Sequence, residues 1–228
     1  MRRIPVLYEN NACLILNKPS GLAVQGGEGV TVSLDSILSQ SYKDRPLLVH
    51  RLDKDTSGII LVAKEREAAA VFSGLITSFD KRYLAVAAGI PHPSKGIIRL
   101  DLDIRGKKRK SETTYRLLAS SEKANLQFVG ETTYSLLELE LGSGRMHQIR
   151  RHLCMIKHPI LGDDKYGDFS LNKILRKNMG LKRLLLHASR LIIPRIPSYF
   201  PDGLDISAAP PDYFYPFFPE SHLSLLTQ

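Results

Sequence analysis

Two short apolar runs, Pro46-Leu-Leu-Val49 and Ile59-Ile-Leu-Val-Ala63, constrain the fold of this chain more than any other feature. Runs this short, bounded by turn residues, read as buried strands. Between them stands His50-Arg-Leu-Asp-Lys-Asp-Thr-Ser-Gly58, which is polar almost throughout and closed by a glycine. A polar loop between two buried strands is held by a rigid scaffold and is a good place for chemistry. It is equally the form of an ordinary turn on a salt-bridged surface, and position alone leaves both readings open.

The same signature recurs along the chain. Strands are predicted over 12–16, closed by the turn cluster Asn17-Lys-Pro-Ser-Gly21, and over 83–89, 96–104, 113–118 and 134–141. In the last of these Leu137, Leu139 and Leu141 alternate with Glu138 and Glu140, which predicts one buried face and one wet face. Residues 183–194 read as one bent strand or two short ones. Helical spacing predicts a short helix over 31–38 capped by Thr31, a second over 64–79 with Val71, Phe72, Leu75, Ile76 and Phe79 on one face, and a third over 145–157. The Pro-rich aromatic tail Pro210-Pro-Asp-Tyr-Phe-Tyr-Pro-Phe-Phe-Pro219 is expected to pack onto the body. Many short strands with few helices predict an α+β fold, a mostly antiparallel or mixed sheet with flanking helices and loops. The expected organisation is one domain over 1–228.

Charge separates the function classes. The 228 residues carry 32 Lys and Arg against 23 Asp and Glu, a formal charge of +9, so a polyanion such as nucleic acid is the expected partner. Cys13 and Cys154 sit in apolar sequence and read as small core residues, neither a disulfide nor a metal pair. The N-terminus has no signal-peptide pattern and no run is long enough to span a membrane. A reducing, cytoplasmic setting with no membrane partner is expected.

The helix Gly144-Arg-Met-His-Gln-Ile-Arg-Arg-His-Leu-Cys-Met-Ile156 carries the next constellation. Met146, Ile149, Leu153 and Ile156 define its predicted buried stripe, with Arg150 on the shoulder and Arg151 turned away. A guanidinium at the edge of a buried face needs an acceptor. Arg150 therefore either ties the helix to the sheet through an ion pair or orients a catalytic carboxylate. The histidines His50, His147, His152, His158 and His187 invite a metal site, but His147 and His152 are five apart and no His-Glu-x-x-His or Cys-x-x-Cys occurs, so no metal is expected. No phosphate-binding Gly-rich loop and no Gly-x-Ser-x-Gly elbow is present either.

The loop His50-Arg-Leu-Asp-Lys-Asp-Thr-Ser-Gly58 resembles the signature of RluA-type pseudouridine synthases, in which His-Arg-Leu-Asp-x-x-Thr-Ser-Gly surrounds the catalytic aspartate. Leu16-Asn-Lys-Pro-Ser-Gly-Leu-Ala-Val24 is similar to that family's first motif, Lys81-Arg-Tyr-Leu-Ala85 to its tyrosine motif, and Gly144-Arg-Met-His-Gln-Ile-Arg-Arg-His-Leu153 to its arginine helix. His158-Pro-Ile-Leu-Gly-Asp-Asp-Lys-Tyr-Gly167 and Leu186-His-Ala188 resemble its later motifs, so the likeness covers nearly the whole chain. Gly21-Leu-Ala-Val-Gln-Gly-Gly27, Lys110-Ser-Glu-Thr and Asp163-Asp-Lys-Tyr-Gly-Asp168 look most like the branch acting on large-subunit ribosomal RNA. Met146 stands where the family usually has a hydroxyl residue. No S4-like RNA-binding domain, as larger members carry, is expected in this chain.

The resemblance implies a pseudouridine synthase catalytic fold with a central RNA-binding cleft. It also implies isomerisation of uridine in structured RNA, ribosomal RNA first and tRNA as the alternative, by a monomer without cofactor or metal. The bond from uracil N1 to ribose C1′ breaks and the base rejoins through C5. One carboxylate can serve that glycosidic centre, because uracil is a good leaving group that is never released. By the resemblance Asp53 is the nucleophile, Arg150 pairs with it, and Tyr83 stacks on the uracil and accepts the C5 proton. Asp55 falls at a variable motif position and reads as a salt-bridge residue. Arg51 is expected to fill the space left by the extruded base. Phosphate contacts are expected from Arg105, Lys107, Lys108, Arg109 and Lys110, with Lys173, Arg176, Lys177, Lys182 and Arg183. Further RNA contacts are expected from Arg145, His147 and Arg151. The rival from another class is a catalytically silent RNA-binding or ribosome-assembly protein on the same fold.

Overall fold

The computed structural model describes residues 4–104, 106–121, 124–126 and 130–218. In chain order the elements begin with β1 (Val6–Glu9), β2 (Cys13–Lys18), α1 (Leu34–Ser41), β3 (Leu47–Leu48), β4 (Ser57–Ala63) and α2 (Arg66–Leu75). They continue with β5 (Asp80–Ala88), β6 (Lys95–Arg99), β7 (Leu102–Ile104), β8 (Lys107–Arg109), β9 (Glu112–Ser120), β10 (Ala124–Leu126), β11 (Gly130–Thr132) and β12 (Tyr134–Leu141). Last come α3 (Gln148–Met155), α4 (Phe169–Met179), β13 (Leu186–Ile193) and β14 (Leu204–Ser207), followed by a 3-10 turn at Asp212–Phe214. The fold is α+β, as expected. Two compact units divide the chain: Met1–Lys81 with Ala188–Ala208, and Arg82–His187 with Ala209–Gln228. Among the described residues no helix is long and apolar enough to cross a membrane.

The first unit is a sheet ordered β1-β2-β4-β13, with β3 on β4 and β14 on β13. The pairs β1/β2, β2/β4, β3/β4 and β13/β14 are antiparallel, and Cys13↔Ala63 and Lys18↔Gly58 fix the central register. All seven residues of β4 are buried, which is why its sequence reads as an unbroken apolar run from Ile59 to Ala63. Cys13, Ile15, Ile59, Leu61, Ala63, Phe72, Leu191, Ile193 and Phe200 share one core cluster. Phe72 of α2 meets Tyr199 edge-on at 5.1 Å and Phe200 at 5.7 Å. Cys13 is a small core residue as expected, its thiol pushed up to about 12 by burial. Cys154 is only half-buried.

In the second unit the sheet runs β5-β12-β9-β6, antiparallel throughout. Residues 134–137 of β12 are buried on both faces, and the predicted alternation begins only at half-buried Glu138. Glu138 binds Arg116 at 2.9 Å. The aromatic tail packs as expected over its described part: Phe217 and Phe218 meet Tyr134 edge-on at 5.7 Å and 5.5 Å.

Other boundaries depart from expectation for local reasons. The strand predicted over 96–104 is two strands with different partners: β6 pairs β9, while β7 pairs β8 in a separate hairpin turned by Gly106. The cap of α1 is Ser33, not Thr31. Ser33 and Ser36 exchange side-chain bonds with each other's backbone amides, and that capping box starts the helix three residues later than predicted. The helix predicted over 64–79 is the shorter α2, and residues 183–194 hold the single strand β13. Strands β1 and β14 and helix α4 lay outside the sequence prediction.

Candidate active site

The loop from His50 to Thr56 is clamped from several sides within the first unit. Lys18 ends β2 as a fully buried side chain, and its ammonium donates to the carbonyls of Pro19, Leu22 and Lys54 at 3.0, 2.9 and 3.0 Å. Burial pushes its pKa down to about 8, with Asp55 and Asp53 pulling the other way. Ser20 Oγ donates to the Asp55 carbonyl at 2.7 Å, and the Gly21 amide donates to the Lys54 carbonyl at 2.9 Å. Inside the loop the Thr56 amide closes on the Asp53 carbonyl at 3.2 Å. Gly58 has φ 109° and lies against β13 so tightly that a Cβ would fall 2.2 Å from the Ala188 carbonyl oxygen. The backbone on both sides of Asp53 is therefore fixed, and Asp53 is half-buried between exposed Arg51 and exposed Lys54 and Asp55.

His50 supplies a further clamp. Its Nε2 accepts the Leu61 amide at 2.9 Å, so the neutral ring carries its proton on Nδ1. Burial, with Lys81 adding to it, pushes its pKa down to about 4. An unfolded chain protonates this residue near 6.5 while the folded chain does not, so stability falls as pH drops from 6.5 towards 4. The loss expected from this residue is about 3 kcal/mol. His50→Gln keeps an acceptor without titrating, and urea midpoints at pH 7 and pH 4.5 should show a smaller drop in the variant. An equal drop in both proteins would contradict the assignment.

In the second unit Arg150 is buried on α3 and forms a fork with Asp163, Nε to Oδ2 and Nη2 to Oδ1, both at 2.8 Å. Asp163 Oδ1 also accepts the amides of Lys165 and Tyr166 at 2.9 Å. Burial pushes the Asp163 carboxyl up, but the Arg150 fork and the two amides outweigh it and hold the carboxyl below the ordinary carboxylate range. The Arg150 guanidinium lies 5.3 Å from the centre of the Tyr166 ring. The Tyr166 hydroxyl bonds His147 Nδ1 at 3.0 Å. Asn172 of α4 closes the turn, donating to the Asp163 carbonyl and accepting the Gly162 amide. Arg150 thus has a carboxylate partner that the sequence alone does not identify, although Asp163 lies in the motif His158–Gly167. Its only sequence signal was a buried-face arginine in need of an acceptor.

Helix α3 starts at Gln148, not Arg145, because His147 is left-handed at φ 52°. A network around Gln148 holds that strained entry. Its Oε1 accepts Ser143 Oγ at 2.7 Å and the Arg145 amide at 3.0 Å, and its Nε2 donates to the Glu112 carbonyl at 2.7 Å and Thr113 Oγ1 at 3.0 Å. Thr113 Oγ1 and Ser111 Oγ then meet the two ring nitrogens of buried His152, each at 2.9 Å. Met146 therefore precedes the helix and is 54% exposed, which corrects its placement on the buried stripe. Tyr83 is buried inside β5, opposite Leu139, and three residues past the strand's start. Among the described residues no three His, Cys, Asp or Glu side chains form a group that could hold a metal ion.

The expected RNA-contact residues divide among several places. Lys107, Lys108 and Arg109 form fully exposed β8, and Lys110 follows it. Arg151 reaches this hairpin, its Nη1 donating to the Asp103 carbonyl at 2.9 Å. Lys110 and Arg145 line one groove of about 550 Å³ with Arg99, Ser111, Glu112 and Ser143. Lys182 and Arg183 are exposed after α4. Arg105 lies outside the described residues.

Residues 12–154 match the family model described as RNA pseudouridylate synthase. The chain is 36% identical over 190 residues to a ribosomal large subunit pseudouridine synthase C of Haemophilus influenzae, covering 80% of this chain and 58% of that protein. The Escherichia coli protein of the same name is 36% identical over 194 residues, covering 82% and 60%. The chain thus spans about six-tenths of the length of these relatives. A solved structure, human RNA pseudouridylate synthase domain containing 4, superposes with a TM-score of 0.74 at 26% identity, over 96% of this chain and 92% of that one.

Proposed function

Because the chain belongs to the RNA pseudouridylate synthase family, we propose that it isomerises uridine to pseudouridine in RNA, acting as one catalytic domain. Asp53 is the nucleophile of the isomerisation. Arg150 is the partner that favours its ionised form, and Tyr83 is the residue that stacks on the base and accepts the C5 proton. The observation that carries the reading is the loop itself. His50 to Gly58 matches the family's signature residue by residue, and its backbone is clamped on both sides of Asp53 by Lys18, Ser20, His50 and the close fit of Gly58. A nucleophile held on fixed backbone meets its target without a reorganisation cost.

The substrate is large-subunit ribosomal RNA, the target in the names of the two bacterial relatives. Arg51 fills the space of the extruded base. Exposed Lys107, Lys108, Arg109, Lys110, Arg145, Lys182 and Arg183, with half-buried His147 and Arg151, meet the RNA. The enzyme acts as a monomer in the cytoplasm, without metal or cofactor. The test is tritium release from RNA labelled at uridine C5, run on unmodified ribosomal RNA and on tRNA. Release from ribosomal RNA is expected. Release from tRNA alone would overturn the substrate, and no release from either would favour the silent RNA-binding protein.

A further inference from the structure

Helix α4 presents an exposed face that combines an aromatic ring with a row of cations. Leu171, Asn172 and Leu175 are its buried side. Phe169, Lys173, Arg176 and Lys177 recur at i, i+4, i+7 and i+8, and all four are exposed. At about 100° per residue they share an arc of about 100°, turned well away from the buried side. Phe169 is 60% exposed, an unusual place for an aromatic ring. Its helix is firmly built, capped by Asp168 on the Leu171 amide at 2.9 Å and ended by left-handed Gly180. The acidic groups beside this face are Asp168 and Asp164, and exposed Asp164 pairs with Arg176. Among the described residues neither Lys173 nor Lys177 has an ion-pair partner.

We propose that this face of α4 is an RNA-binding surface, with Phe169 stacking on an unpaired base and Lys173, Arg176 and Lys177 following the phosphates beyond it. The proposal rests on the reading of the substrate as RNA. A ring beside a row of cations on a rigid helix is the combination that holds single-stranded or looped RNA, since every base has a face to stack and every linkage a charge. From Phe169 to Lys177 the helix rises about 12 Å, the length of three to four stacked nucleotides. Arg176 reaches a phosphate by giving up its pairing with Asp164.

The test measures binding of the full chain to a labelled ribosomal RNA fragment across a salt series, alongside turnover. Replacing Lys173, Arg176 and Lys177 together by Gln, which keeps helix propensity, is expected to lower the slope of log K against log salt by about 2–3. Phe169→Ala is expected to weaken binding about 10-fold with the slope unchanged, because stacking releases no counterions. Asp164→Asn is expected to tighten binding two- to threefold, a gain that misfolding cannot mimic. In all three, kcat at saturating RNA stays within twofold of wild type. A chain that turns over RNA but keeps its wild-type Kd and slope in the triple variant overturns the surface and leaves the activity standing. A chain that releases no tritium, yet loses that slope in the variant, overturns the activity and supports the surface.

Discussion

Asp53→Asn is expected to remove tritium release from C5-labelled RNA by a factor on the order of 10⁴ or more, because an amide cannot act as the nucleophile. Folding should survive. Asn has the same shape, the loop is held by backbone bonds at Lys54, Asp55 and Thr56, and buried Arg150 keeps the Asp163 carboxylate whatever stands at residue 53. RNA affinity should stay within a few-fold, since removing one negative charge does not weaken contact with a polyanion. Turnover and Kd in the same preparation separate this outcome from a misfolded variant. Turnover by the variant near the wild-type rate would place the chemistry on another residue.

The second large effect belongs to the fork. Asp163→Ala leaves a buried guanidinium without its carboxylate and two amides without their acceptor, and is expected to cost about 3–5 kcal/mol. For a chain of this size that lowers the melting temperature by about 10 °C. Adding Arg150→Met removes the orphaned charge, so the double variant should recover much of that stability while turnover remains low. Thermal melts of both single variants and the double close the cycle. The pH dependence has a definite sign. The Asp163 carboxyl titrates lower in the folded chain than in the unfolded one, so its contribution is present above about pH 4 and is lost as pH falls through the folded value. A fork of little worth would show Asp163→Ala melting with the wild type.

The loop around Asp53 is legible because polar residues between two buried strands break a pattern that burial imposes; β4 is apolar from Ile59 to Ala63 since both its faces are covered. What clamps the loop was not legible. Lys18 reads in sequence as part of the turn cluster Asn17–Gly21, and only the convergence of three carbonyls, one of them 36 residues away, explains a buried ammonium there. The start of α3 was misplaced for a similar reason. Helical spacing extends back to Met146, but four hydrogen bonds of Gln148 with residues on both sides of the chain force His147 left-handed and turn Met146 outward. Helix α4 escaped because its inner face is thin: Leu171 and Leu175 supply the apolar contacts, and the third buried residue, Asn172, is there for the Asp163 turn. Periodicity in sequence records apolar burial, so polar burial goes unseen by it.

Isomerisation by the protein alone is read by counting pseudouridine formed against tritium released, in the presence of chelator and with nothing added but C5-labelled ribosomal RNA. Isomerisation frees one C5 hydrogen for each uridine converted, so the expected ratio is one, reached without metal or cofactor. Tritium release without pseudouridine would exclude isomerisation, and conversion that chelator abolishes would exclude a metal-free reaction.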